Sequence, residues 1–386
     1  MIFSLSAPML TRRTLLTSAL AGSVLAGSDL RPARAREPGA GGDLVPEVLS
    51  STGTAGGVQE PGFPVHHLGL SWSGTEKAGR LRLRYADGWR AWRPVRAGDS
   101  ANGRRHALVW VGSASAYEFQ PETGSAGVDV RAINTVDGPP TGQTFGPTRR
   151  LTASGLGDPA TRSGCRYLSR HGWGADESWR FGPDGTESFP TAFFDVQTLT
   201  VHHTVTANTD PDPAATVRAI YFFHAVTEDY GDIGYHLLVD QHGTVYEGRY
   251  SGPDQVPVFG PRSVGPRPSM VNGAHVAGFN AGNVGVALLG DLTAAGPTPA
   301  ARLALTRVLA ALAGATGLDP LGTTAYVNPI SGATRTVRTL AGHRDWAATE
   351  CPGNAFYPSL PQLRVDVAAA LGARSTSTVV LSAGRR

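Results

Sequence analysis

Residues 198–227 read TLTVHHTVTANTDPDPAATVRAIYFFHAVT, a strand, a loop and a capped helix in that order. From Thr198 to His203 the β-branched residues and the alternation of faces predict a strand. Asp212-Pro213 then sets an N-cap residue before a proline at the first helical position, which opens a helix running to about Thr227. Its stripe is Val217, Ile220, Tyr221 and His224. Further strands are expected from Gly234 to Asp240, Thr244 to Gly248, Asn283 to Leu289 and Thr336 to Gly342. Thr298-Pro299 opens a second capped helix, and Leu360 to Leu371 is a last one. Strands that alternate with helices make residues 165–373 an α/β domain, a mixed β-sheet flanked by helices.

The chain around this domain has a different character. Residues 61–136 show no helical period. Arg80 to Tyr85 alternates polar and apolar before Asp87-Gly88, and short strands follow near Ala107, Ala116 and Val128, so this stretch is a small all-β domain of sandwich type. Trp72, Trp89, Trp92 and Trp110 either fill its thin core, the favoured reading, or form a platform for sugars. His66-His67 has no third ligand in view and gives no metal site. Residues 36–60 and 137–164, rich in Gly, Pro and polar residues, read as linkers, and 374–386 as a tail. That division implies that residues 165–373 fold and act on their own. At the N-terminus, Arg12-Arg13, an apolar run from Leu15 to Gly27 and Ala33-Arg34-Ala35 have the order of a cleaved export signal over residues 1–35, similar to the twin-arginine type. The product is expected outside the cell, secreted or in the cell wall. Four arginines and one aspartate of the 34 basic and 31 acidic residues lie in that leader. The remainder is charge-balanced, which removes nucleic acid and anionic membranes as default partners. No other stretch is long and apolar enough to span a bilayer.

Eight of the eleven histidines fall in residues 165–373. Thr200 and His202 share one face of their strand, while Leu199, Val201 and His203 share the face that should meet the core helices. Taken alone, His202 is an ordinary strand histidine. His343 ends a strand in LAGHRDWAATECPG (340–353), and Cys351 follows eight residues later in a loop closed by Pro352-Gly353. With His202 these make a His2Cys set, one ligand short of tetrahedral zinc, as in catalytic sites that keep a position open for water. The competing reading is a disulfide between Cys165 and Cys351, the two cysteines of an exported chain.

Eight short motifs occur in register. They are VHHT (201–204), DIGYH (232–236), DQHGTVYEGR (240–249), GAH (273–275), GFN (278–280), GVALLGD (285–291), GHRD (342–345) and TECPG (349–353). Together with SRHGWGAD (169–176) they resemble the peptidoglycan recognition proteins and type 2 zinc N-acetylmuramoyl-L-alanine amidases, over half of the chain. The order of leader, β domain and amidase domain resembles secreted actinobacterial members of that family. The resemblance implies one Zn2+ per chain on His202, His343 and Cys351, with Tyr235 and Thr349 as catalytic residues. His275, Asn280 and Arg344 are implied as substrate or supporting contacts. The implied partners are peptidoglycan and muropeptides, acted on by an enzyme that is monomeric. The implied reaction is hydrolysis of the amide between the lactyl group of N-acetylmuramic acid and the L-alanine of the stem peptide. The alternative is a module that binds peptidoglycan without cutting it. Such relatives typically lack the cysteine ligand. Between Arg249 and Gly273 this chain has a proline-rich segment longer than the family usual, expected beside the groove.

Overall fold

A computed structural model describes residues 43–101, 103–151, 165–254, 256–260 and 268–382. The leader falls outside the described residues. Two five-stranded sheets lie face to face at the N-terminal end. One orders the strands 58–59, 116–121, 77–85 and 88–89, with 93–96 also paired to 77–85. The other orders 49–53, 125–134, 65–74, 104–114 and 99–101. Leu81 and Leu83, the apolar alternates of the Arg80–Tyr85 run, enter the shared core with Leu68, Leu70, Trp72, Tyr117 and Phe119. Trp72 is the tryptophan that fills this core. Trp89 and Trp92 instead lie under the Arg82 guanidinium, 4.7 and 4.9 Å from it. Strands at 44–46, 49–53 and 58–59 stand inside the segment expected to be a linker, and 140–144 pairs with 44–46. The Gly and Pro residues there punctuate short strands.

The second region is built on one mixed sheet of seven strands. In chain order these are β1 (Arg149–Leu151), β2 (Cys165–Leu168), β3 (Thr198–His203), β4 (Leu237–Val239), β5 (Val245–Glu247), β6 (Asn283–Leu288) and β7 (Leu340–Gly342). Their spatial order is β1-β2-β5-β4-β6-β3-β7. Strands β4, β6, β3 and β7 run parallel to one another. The expected strand from Thr336 to Gly342 is two pieces, because 334–338 leaves to pair with 323–327 before β7 begins.

Helices cover both faces. They are α1 (Arg170–Trp173), α2 (Pro213–Phe222), α3 (Pro299–Thr316) and α4 (Leu360–Ser382), the last running beyond Leu371. Leu199 and Val201 meet Leu305, Leu309 and Leu312 of α3 and Leu363 of α4 in one core, as the alternation of β3 requires. The opposite face packs Leu238, Tyr246 and Ala287 against Val217, Ile220 and Tyr221 of α2. The Asp212 carboxylate caps α2 by accepting from the Ala215 N–H at 3.0 Å. The 250–272 segment sends Val258 and Met270 into the first core, and 269–271 pairs with 193–195. Among the described residues no helix is long and apolar enough to cross a membrane.

The sandwich is packed against α2 rather than tethered to it. Leu108 and Ile133 belong to the same apolar cluster as Val217, Ile220 and Phe223. The Phe223 ring lies so close to the backbone of Gly69 that a Cβ there would stand 2.4 Å from it, which requires glycine. Polar contacts cross the same boundary. Thr135 Oγ1 donates to the Ala215 carbonyl at 2.9 Å, and Arg218 donates to the Thr135 carbonyl at 3.0 Å. His67 Nε2 meets Thr216 Oγ1 at 3.0 Å, and His106 pairs with Glu228 at 2.7 Å, with both side chains buried. The described residues from 43 to 382 accordingly form a single unit. This bears on independent folding of residues 165–373. That fragment would expose Val217, Ile220 and Phe223 to water and leave Glu228 without its histidine. Its unfolding should therefore begin at clearly lower denaturant than that of the full chain, with binding of a hydrophobic dye. A fragment as stable as the full chain would show that the shared cluster contributes nothing.

Candidate metal centre

The register of the parallel strands brings the centre together. Val201 pairs with Gly342, so the next residue on each strand, His202 on β3 and His343 just past β7, are lateral neighbours. Their ring centroids lie 4.6 Å apart. After His343 the chain makes a tight loop and returns with Cys351, whose carbonyl accepts from the Arg344 N–H at 3.0 Å. One donor atom from each of His202, His343 and Cys351 lies within 4.8 Å of the others, and all three residues are buried. Cys165 and Cys351 are not joined to each other: Cys165 sits in the α3 and α4 core and Cys351 beside His202.

The hydrogen bonds behind His202 decide which of its nitrogens is available. The Asn283 carbonyl can only accept, so His275 Nε2 donates to it at 2.8 Å. In neutral His275 the other nitrogen, Nδ1, is then an acceptor, and it takes a hydrogen from His202 Nε2 at 2.9 Å. His202 Nδ1 is left with a lone pair, 3.6 Å from Cys351 Sγ. Neutrality follows from burial, which pushes His343 down to about 3 and His275 to about 4 and holds His202 well below its ordinary value. The His203 N–H points at Cys351 Sγ from 3.4 Å, a contact that favours the thiolate. Two neutral imidazoles and one thiol fit a borderline-soft divalent metal.

Tyr235 stands beside this group, its ring centroid 5.3 Å from that of His202. The loop that carries it is held by Asp232, which accepts from the backbone of Ile233 and Tyr250 at 2.7 and 2.9 Å and pairs with the buried Arg170 at 2.9 Å. Arg170 in turn donates its backbone N–H to Glu247 at 2.9 Å. Thr349 Oγ1 accepts from the Cys351 N–H at 3.1 Å, which fixes the hydroxyl next to the metal loop.

The three residues expected as substrate or supporting contacts stand among the supports of the centre. His275 is buried behind His202, over Gly285, where a Cβ would stand 2.6 Å from its ring. Asn280 accepts from the backbone N–H groups of His275 and Val276 at 2.8 and 2.7 Å and so shapes the loop that holds His275. Arg344 lies over Tyr357 at 4.7 Å and donates to Asn354 at 2.7 Å, bracing the Cys351 loop. His203, His224 and His236 each accept a backbone N–H through Nδ1, at 3.1, 3.1 and 2.9 Å, as structural histidines do. Sequence reasoning does not reach Asn283, whose contribution is a main-chain carbonyl, nor the Arg170–Asp232 pair. The quoted motifs SRHGWGAD and DIGYH were their only signal.

Residues 193–354 match the family model described as N-acetylmuramoyl-L-alanine amidase, a stretch that contains all five residues of the centre. These residues form a domain of the peptidoglycan recognition and amidase family. The human N-acetylmuramoyl-L-alanine amidase is 33% identical over 221 residues, 55% of this chain and 30% of that protein. The chain thus spans under a third of that relative's length. Peptidoglycan-recognition protein LB of Drosophila melanogaster is 26% identical over 221 residues, 56% of this chain and 75% of that protein. The solved structure of wild-type Drosophila PGRP-LB is 25% identical, covers 50% of this chain and 92% of its own, and superposes with a TM-score of 0.36.

Removing the His275 ring should free His202 to rotate or change tautomer. His275→Ala is expected to weaken binding of a divalent metal by about 10- to 100-fold, the usual cost of losing such a partner. Cys351→Ser should weaken it further. Competition with a chromogenic chelator measures both, and wild-type affinity in the alanine variant would sever the His275 link. A second expectation concerns pH. His67, His224, His236 and His343 are pushed down to about 3 by burial, and His203 and His275 to about 4. Below about pH 6.5 the unfolded chain takes up protons that the fold refuses. Stability of the metal-free protein is therefore complete above that pH and should drain as the pH falls toward about 4. Unfolding temperature across that range reads it, and a flat profile would contradict neutral buried imidazoles.

Proposed function

We propose that the chain is a zinc-dependent N-acetylmuramoyl-L-alanine amidase. Its substrate is the amide between the lactyl group of N-acetylmuramic acid and the stem-peptide L-alanine. The observation that carries the reading is the His202–His343–Cys351 group with Tyr235 beside it, inside the stretch matched by the amidase family. His202 through Nδ1, His343 and Cys351 would hold one zinc per chain. When bound, zinc supplies Lewis acidity at the amide carbonyl and a more acidic water.

The chain's own residues then have separable tasks. His275 and the Asn283 carbonyl keep the His202 lone pair directed at the centre. Burial keeps both imidazoles neutral. The Tyr235 hydroxyl donates a hydrogen bond to the substrate oxygen as negative charge develops on it. Thr349 already accepts the Cys351 N–H, so its hydroxyl proton remains to be given to the same oxygen or to water. The enzyme acts on peptidoglycan after export through its leader, at the cell wall or outside the cell, as a monomer.

Mass spectrometry of digested peptidoglycan tests the reaction directly by the appearance of free stem peptides headed by L-alanine. Tyr235→Phe should keep zinc and fold but lose roughly 100- to 1000-fold in turnover, the usual loss for one such donor. KM should change little, because the contact strengthens only in the transition state. Binding of peptidoglycan without release of peptide would favour the recognition-module reading. Wild-type turnover in the phenylalanine variant would remove the tyrosine from the mechanism.

A further inference from the structure

A cavity of about 550 Å3 opens between the sandwich and the α/β domain, within the size range of sites that bury a small ligand. Its lining includes His203 and Glu350, the chain neighbours of His202 and Cys351, though not the five residues of the centre themselves. A substrate held at the centre and extending past Glu350 enters this space. Among the described residues none of the lining comes from 250–272, and the wall across from His203, Asp291 and Glu350 is supplied by the sandwich.

The two walls differ in sign. The sandwich side carries Arg93 and Arg96, both exposed, with the half-buried Trp110 between the strands. The α/β side carries Asp291 and Glu350. Among the described residues neither arginine forms an ion pair, and Arg93 gives one hydrogen to the Trp110 carbonyl at 3.1 Å. Among the described residues neither carboxylate forms an ion pair: Asp291 accepts from Thr293 at 2.9 Å and Glu350 from Asn354 at 3.2 Å, while Arg344 donates to the Glu350 main-chain carbonyl and to Asn354. The folded chain therefore holds two cations and two anions on opposite sides of a cavity without letting them neutralise one another. A neutral glycan offers such walls hydrogen bonds but no charge. A short peptide with free carboxylates and a free side-chain ammonium offers a partner to each.

We infer that this cleft takes the zwitterionic peptide arm of the substrate, with Arg93 and Arg96 on its carboxylates and Asp291 and Glu350 on its ammonium. The inference rests on the amidase reading for the identity of the arm. It makes the sandwich, which lies outside the residues 193–354 matched by the amidase family, part of the substrate site.

The test uses the full chain and binding without turnover. The probe is the stem tetrapeptide L-alanyl-γ-D-glutamyl-L-lysyl-D-alanine, titrated by calorimetry. Arg93→Ala/Arg96→Ala should weaken its binding about tenfold or more, and Arg93→Lys/Arg96→Lys should restore most of it. Acetylating the lysine side chain of the peptide should also weaken binding, and added salt should lower the wild-type affinity. With soluble muropeptide as substrate, the alanine variant should raise KM and keep kcat and zinc content. Equal peptide affinity in wild type and the alanine variant would overturn the inference, as would competition for the cleft by chitobiose but not by the peptide. Arginine-dependent peptide binding by a wild-type protein that hydrolyses no muropeptide would sink the amidase reading and support the cleft as a recognition site.

Discussion

The pairing of Val201 with Gly342 on parallel strands β3 and β7 sets where every other group at the centre must stand. Because side chains alternate along a strand, a slip of one residue would turn His202 into the α3 and α4 core and bring Val201 to the centre. The apolar residues guard against that slip. Leu199, Val201 and Leu340 are buried in the core with α3 and α4, and exchanging any of them with an imidazole would bury an unsatisfied ring and expose an aliphatic one. The hydrophobic core thus holds the His202–His343–Cys351 group in register without being part of it.

Beyond register, the centre depends on a chain of single-purpose hydrogen bonds. A main-chain carbonyl has no donor to offer, so Asn283 dictates the protonation of His275, and His275 dictates that of His202. Gly285 makes room for the His275 ring, and Asn280 holds its backbone. None of these groups needs to meet a substrate, yet each lies within one or two contacts of a ligand. The same reasoning applies to Tyr235, placed by Asp232, whose own charge is balanced by Arg170 in a nearly water-free setting.

What could be read from residues alone follows this division. Elements with their own period or cap, such as β3, α2 with Asp212-Pro213 and α3 with Thr298-Pro299, stand where local rules put them. The strand face of His202 also follows from alternation, since Leu199 and Val201 are plainly apolar. The role of His275 does not, because it arises from a carbonyl and a glycine that contribute no side-chain signal. The docking of the sandwich is equally silent in sequence. The strand 65–74 is buried over most of its length because one face meets the partner sheet and the other meets α2, yet Leu68, Leu70 and Trp72 alternate with Gly69, Ser71 and Ser73, the pattern of a strand with only one face buried. The linker-like composition of 36–60 is real, but short strands joined by tight turns have the same composition as a linker.

The two halves of the chain constrain function in different ways. Inside the family match, the metal group, Tyr235 and their supports are buried and mutually dependent, so each substitution there is felt by several neighbours. The sandwich wall has a different character. Its Arg93 and Arg96 are exposed, make no ion pair among the described residues, and rest on a strand whose inward residue, Val95, does the packing. Side chains of that kind can change with little cost to folding. Rigid docking is what allows them to matter at all, because a wall that drifted relative to the centre could not hold a substrate arm in place. The buried His106–Glu228 pair and the Phe223 ring set against Gly69 supply that rigidity at the edge of the small cavity into which Tyr235 faces. On the amidase reading, chemistry is then fixed by the buried half and the choice of substrate is left to the exposed one.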